Sequence, residues 1–205
     1  MISNLKVNHL LNPKFIDVNE LSFSFLSNKN SGEFLVFLSK KQDFSESVET
    51  KKITYKDHLG FSFDSKLDYG QKYFWKVVSD IEESDIQSFE TSPILEGKYI
   101  GVSKDFPKNK CPVFFKNFNV DKKISRALLS VTGLGLYEAY INGKRLGNSF
   151  LNPGYNDYDD YLRYQTYDVT DFLTSSNKLI FSLSNFLIKT FKFSLVIHFH
   201  LSSSL

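Results

Sequence analysis

Apolar and polar residues alternate at every second position along much of this chain, the mark of half-buried β-strands. Leu21-Ser-Phe-Ser-Phe-Leu26 shows it first, and Asn28-Lys-Asn-Ser-Gly32 then has turn chemistry. Residues 33–39 and 51–55 read as further strands. Gln71-Lys-Tyr-Phe-Trp-Lys-Val-Val78 is the clearest, with Tyr73, Trp75 and Val77 on one face and Phe74, Lys76 and Val78 on the other. Ser88-Phe-Glu-Thr91 closes a first module over residues 1–92. Pro93 and Gly97 bracket the boundary.

A second module begins near residue 96. Residues 111–118 and 124–132 read as strands, the latter with Ala127, Leu129 and Val131 on one side. Residues 136–141 follow, then Asn142-Gly143. Asn-Gly between two strand-like runs predicts a tight hairpin, because both central residues of a type I′ turn take positive φ. Residues 144–147 start the return strand, and Asn152-Pro-Gly-Tyr155 is loop chemistry. Residues 163–168 are extended again. Thr170 is an expected N-cap for a single helical turn at 171–173, and residues 177–183 form another strand. Short strands with regular turn signals predict a sandwich or jelly roll.

Composition agrees. The chain has 205 residues, with 21 Phe and 11 Tyr, a mix that favours strand. Lys and Arg number 25 against 23 Asp and Glu, and no basic stripe interleaved with aromatics suggests a nucleic-acid partner. A single cysteine, Cys111, excludes an internal disulfide and a multi-cysteine metal site, and lacks a recognisable base partner. No apolar run of about 18 residues predicts a membrane span, and the first residues lack the pattern of a signal peptide. A cytoplasmic protein is the expectation.

Two resemblances sharpen the picture. Leu67-x-x-Gly70-x-x-Tyr73-x-Trp75-x-Val77 resembles the fibronectin type III pattern, in which the tyrosine caps a corner and the inward aromatic fills the space between sheets. Trp75 is either such a core residue or a stacking platform for a sugar, and its alternation with Tyr73 and Val77 favours the core. The second resemblance rests on three blocks in one order. They are Ala127-Leu-Leu-Ser-Val-Thr-Gly-Leu-Gly-Leu-Tyr-Glu-Ala-Tyr-Ile-Asn-Gly-Lys-Arg-Leu-Gly147, then Pro153-Gly-Tyr-Asn-Asp-Tyr158, then Tyr164-Gln-Thr-Tyr-Asp-Val-Thr-Asp-Phe-Leu173. They are very similar to the N-terminal region of bacterial α-L-rhamnosidases, many of which begin with a fibronectin-like domain. Asn12-Pro13 and the exit at 88–91 look like that domain's ends.

The resemblance implies an all-β chain. A fibronectin III-like β-sandwich over 1–92 is followed by a partial jelly-roll, galactose-binding-like β-sandwich over 96–185 and a divergent tail over 186–205. In the family the acid and base carboxylates lie in a large helical (α/α)₆ barrel further along the chain, so the resemblance implies a non-catalytic accessory fragment, truncated before the catalytic domain. Its partner would be that missing domain or a rhamnose-containing glycan. The tail departs from the family. After Leu183 a glycine-rich turn with a tryptophan is replaced by Ser184-Asn-Phe-Leu-Ile-Lys-Thr-Phe-Lys-Phe193. That departure points to a truncated or frameshifted product with an unpaired strand edge, which the Phe-rich end over 186–199 would either worsen or fill by substituting for the missing strands.

Candidate chemistry concentrates in one stretch. Tyrosines fall at 155, 158, 161, 164 and 167, with Asp157, Asp159, Asp160 and Asp168 between them. Aromatic faces flanked by carboxylates bind sugars, which makes Tyr155, Asp157, Tyr158, Asp159, Asp160 and Tyr161 the expected carbohydrate-binding residues. The alternative is a surface loop whose tyrosines pack on the sandwich edge. Asp157, Asp159 and Asp160 also offer oxygen ligands for calcium, without EF-hand spacing. Glycosidase catalysis takes two carboxylates held across a scissile bond, and sequence proximity supplies no such geometry, so no catalytic residue is assigned. Asn142 reads as a turn residue only. Glu138 alternates with Tyr137, so one of the two faces outward. His198 and His200 share a strand face that would suit zinc, but no third ligand stands near them in sequence. A general interaction protein of tandem sandwiches remains a third reading, disfavoured by the rhamnosidase-like blocks.

Overall fold

A computed structural model describes residues 1–19, 21–28, 31–56, 60–103, 105–107, 110–157, 160–184 and 194–203. Two compact units divide at Ile94/Leu95. Nearly all regular structure is antiparallel β, and among the described residues no helix is long and apolar enough to cross a membrane.

In the first unit, β1 (Ile2–Val7) pairs with β2 (Phe23–Ser27). A four-stranded sheet runs β4 (Ser47–Lys56), β3 (Ser31–Ser39), β5 (Lys72–Val78), β6 (Gln87–Glu90). Tyr73, Trp75 and Val77 are all buried, as the alternation predicts, so Trp75 is core and offers no sugar platform. The Phe23 ring meets Trp75, Phe63 and Phe89 edge-on, with centroids 5.2, 4.9 and 5.4 Å away. Edge-to-face packing suits the ring quadrupoles. The Tyr73 hydroxyl turns back to accept from Asp68 N–H at 2.8 Å, fixing the corner that leads into β5. Asn12-Pro13 lies beside the exit strand: Ser88 N–H donates to Asn12 Oδ1 at 2.8 Å and Glu90 N–H to the Pro13 carbonyl at 2.9 Å.

The second unit has two four-stranded sheets. One runs β11 (Lys144–Arg145), β10 (Leu136–Ile141), β13 (Ser176–Ser184), β8 (Val113–Asn119). The other runs β12 (Gln165–Asp168), β9 (Ile124–Leu134), β14 (Ser194–Ser203), β7 (Ile100–Gly101). Ala127, Leu129 and Val131 share one buried cluster with Tyr137, Ala139, Ile141, Leu179, Phe181 and Leu183. Asn142 and Gly143 take φ of 52° and 79°, and β10 and β11 close around them as the Asn-Gly signal predicts. The helical turn is a 3-10 turn over Thr170–Phe172, with Val169 in the N-cap position. Thr170 is therefore inside the turn. Its hydroxyl accepts from Ala127 N–H and donates to Asp168, whose carboxylate also takes Thr170 N–H.

The last described residues form a strand. Residues 194–203, in the segment read as a divergent tail, pair with β9 from Ser194↔Leu134 to Ser203↔Ile124, and β14 lies between β9 and β7. The physical reason is local. Val196-Ile-His-Phe-His-Leu201 has strand propensity and alternation of its own. Ile197 and Phe199 pack on the core, with Phe199 5.3 Å from Phe118 of the opposite sheet. One edge of β9 is thereby paired along its length.

Candidate functional site

The tyrosine- and aspartate-rich segment is a loop on a rigid base, running from the end of β11 to β12. Its base is buried and polar. Tyr137 N–H donates to the Asn152 carbonyl at 2.7 Å, and Asn152 is buried. Gln165, on β12, donates through Nε2 to the Pro153 carbonyl at 3.0 Å and accepts from the Tyr137 hydroxyl at 2.7 Å. Asn156, also buried, accepts from Arg163 N–H at 2.8 Å and so closes the neck of the loop. Each of these bonds satisfies a group that would be costly to bury alone.

Gly147 explains how the chain enters this base. Its φ is +66°, and a Cβ there would stand 2.9 Å from Tyr167 Cε1. Only glycine combines that backbone with so close an approach. Tyr167 thereby packs over the hairpin return. Burial pushes its hydroxyl above the usual phenol range, and burial also raises that of Tyr137. Both stay protonated and act as hydrogen-bonding groups.

Above the base, the residues expected to bind sugar separate. Tyr155 is 78% exposed and Tyr161 46%. Asp157 is half-buried, its carbonyl accepts from Asp160 N–H at 3.1 Å and Tyr161 N–H at 2.7 Å, and Asp160 is exposed. The Arg163 guanidinium lies 5.7 Å from the Tyr161 ring centroid, a cation–π contact that holds that ring. Tyr158 and Asp159 lie outside the described residues. The fivefold run of tyrosines is thus divided, with Tyr155 and Tyr161 outward and Tyr167 in the base. Among the described residues no group of three His, Cys, Asp or Glu side chains is placed to hold a metal ion. His198 Nδ1 sits against the backbone of Glu96, with Glu96 N–H 3.2 Å away.

One cluster beside the loop escaped the sequence reading. Arg145 reaches the carbonyls of Gly147 and Ser149, stacks 4.5 Å from the Phe150 ring centroid, and stands 3.5 Å from Glu138. Glu138 also accepts from the Tyr140 hydroxyl at 2.7 Å, a bond that raises the Tyr140 pKa. Glu138 is the outward member of the Tyr137–Glu138 pair. The available signal was an Arg two positions after an Asn-Gly turn, on the same sheet face as Glu138 and Tyr140.

Residues 122–192 match the family described as the α-L-rhamnosidase N-terminal domain. An α-L-rhamnosidase of Streptomyces avermitilis is 59% identical over 49 residues, covering 24% of this chain and 5% of that protein. An α-L-rhamnosidase of Alteromonas sp. (strain LOR) is 36% identical over 155 residues, covering 66% of this chain and 16% of that protein. The solved α-L-rhamnosidase of Dictyoglumus thermophilum superimposes with a TM-score of 0.75 at 27% identity, over 98% of this chain and 27% of that one. The chain therefore spans only a small part of the length of these relatives. In sequence and fold it corresponds to an N-terminal region of an α-L-rhamnosidase.

Proposed function

We propose that this α-L-rhamnosidase-type N-terminal region is a non-catalytic accessory part of a glycoside hydrolase acting on terminal rhamnose. The observation that carries the reading is the superposition of nearly the whole chain on about a quarter of a solved α-L-rhamnosidase. An accessory β-sandwich positions its loops against substrate or a neighbouring domain, while carboxylates that cleave a glycosidic bond must face each other across it. The purified chain, offered an aryl α-L-rhamnoside, is expected to release no aglycone above buffer.

A second reading is favoured by the exposed rings of Tyr155 and Tyr161 on their buried polar base. In it the loop is a carbohydrate-binding site for rhamnose-containing glycans. Tyr155 and Tyr161 stack on sugar faces, and Asp157 and Asp160, with Tyr158 and Asp159, accept hydroxyl hydrogen bonds. Calcium bound by Asp157, Asp159 and Asp160 would assist. Titration calorimetry with L-rhamnose, with and without calcium, tests this. Saturable heat lost on Asp157→Ala or Asp160→Ala supports it, and no heat from folded protein rejects it.

A further inference from the structure

The outer face of the β11–β10–β13–β8 sheet lacks the uniformly polar surface that a solvated sheet face ordinarily has. Residues directly opposed across its strands form ladders on that face. One ladder runs Arg145, Tyr140, Ile180, Phe115 across all four strands. To one side of it stand Glu138, Ser182 and Val113, and to the other Lys178 and Asn117. From β10 to β8 the first ladder is aromatic and aliphatic, with hydrogen-bonding groups about 7 Å away on both sides. Each end carries an exposed ring held by a cation. Phe115 is 67% exposed with Lys178 Nζ 5.5 Å from its centroid, and Phe150, 74% exposed, lies 4.5 Å from the Arg145 guanidinium. Glu138 Oε2 accepts from the Tyr140 hydroxyl. Its Oε1 stands 3.5 Å from Arg145 Nε, which makes no hydrogen bond among the described residues. Glu138 thus keeps an acceptor open beside the ladder.

Taking the chain as an accessory part of a glycoside hydrolase, we propose that this ladder binds an extended chain of 6-deoxypyranoses, at a place separate from the tyrosine-rich loop. Neighbouring strands lie about 4.8 Å apart, so the ladder spans about 14 Å from Arg145 to Phe115, longer than one sugar ring. Over β10 and β13 it is one side chain wide. A pyranose has the matching cross-section, with apolar C–H faces and a rim of hydroxyls, and a 6-deoxy sugar adds a methyl group to the apolar part. The C–H faces rest on Tyr140, Ile180 and Phe115. Hydroxyls donate to Glu138 on one side and accept from Lys178 and the Asn117 amide on the other. A protein partner would call for a broad apolar centre with a polar rim, which so narrow a strip does not supply.

The test is calorimetric titration of the full chain carrying Tyr155→Ala, which removes that ring's contribution whether or not the loop binds sugar. The probe is an α-linked L-rhamnose tetrasaccharide, set against free L-rhamnose. Saturable binding of the tetrasaccharide is expected, about tenfold tighter than that of the monosaccharide, because only the chain covers several steps of the ladder. Phe115→Ala and Glu138→Gln, both outside the core, should each weaken tetrasaccharide binding about tenfold without moving the melting temperature. No saturable binding by folded protein, equal affinity for the two sugars, or a tetrasaccharide affinity unchanged by both substitutions would each overturn the proposal.

Discussion

Asn142 does more than form a turn, and its substitution separates two physical effects. Its backbone sits at φ 52°, a region that glycine and asparagine tolerate. Its side chain also spans three elements. Oδ1 accepts from Lys178 N–H at 2.8 Å, and Nδ2 donates to the Phe172 carbonyl and to Asn177 Oδ1, each at 2.9 Å. The hairpin tip is thereby tied to the start of β13 and to the 3-10 turn. A net hydrogen bond contributes about 1 kcal/mol, and less where water competes. Two of these bonds are exposed and one is partly buried, so Asn142→Gly should cost about 2 kcal/mol while leaving the backbone at ease. Asn142→Ala should cost that and about 1–2 kcal/mol more, because an alanine at positive φ is strained. Urea unfolding followed by circular dichroism, with equal m-values required, measures both. A glycine variant as stable as wild type would refute the bracing role and leave only the turn. Equal losses in both variants would refute the backbone contribution.

Burial works against the charged form of Asp168, but bonds from the Thr170 hydroxyl and N–H, together with Arg126, outweigh it and hold its pKa below the ordinary carboxylate value. A depressed folded pKa contributes stability that is present above the unfolded value, about 4, and is lost as pH falls through the lower folded one. Thr170→Val should therefore destabilise the second unit most at neutral pH, and the part of that loss that comes from the Asp168 charge should shrink as pH falls below about 4, which urea unfolding at a series of pH values measures. Tyr155→Ala, at a ring 78% exposed, should leave the melting temperature within error and abolish any heat of L-rhamnose binding. A fall in melting temperature would show that the ring packs on the fold.

Which features were legible follows from the range of the forces involved. The Asn142-Gly143 hairpin was readable because a two-residue turn fixes φ locally. Tyr73, Trp75 and Val77 were readable because burial repeats at every second residue. β1 was not, because Asn4 takes φ 54° and the register slips between Ser3 and Lys6, so its buried residues are Ile2, Leu5 and Val7 and the alternation breaks. Tyr155, Tyr161 and Tyr167 look equivalent in sequence. Only the pairing of Tyr167 with Leu129 and its approach to Gly147 set it apart. The Arg145 cluster joins residues that meet only once β10 and β11 pair. The strand at 194–203 was legible only as one of two alternatives, because its sequence departs from the family's pattern while its own alternation encodes a strand.

The most direct test of the central claim is to incubate the purified full chain with an aryl α-L-rhamnoside and follow release of the aglycone across pH. The account predicts a rate indistinguishable from buffer at every pH. Turnover that disappears when Asp157, Asp160 or Glu138 is changed to its amide would contradict it and place a catalytic site in this chain.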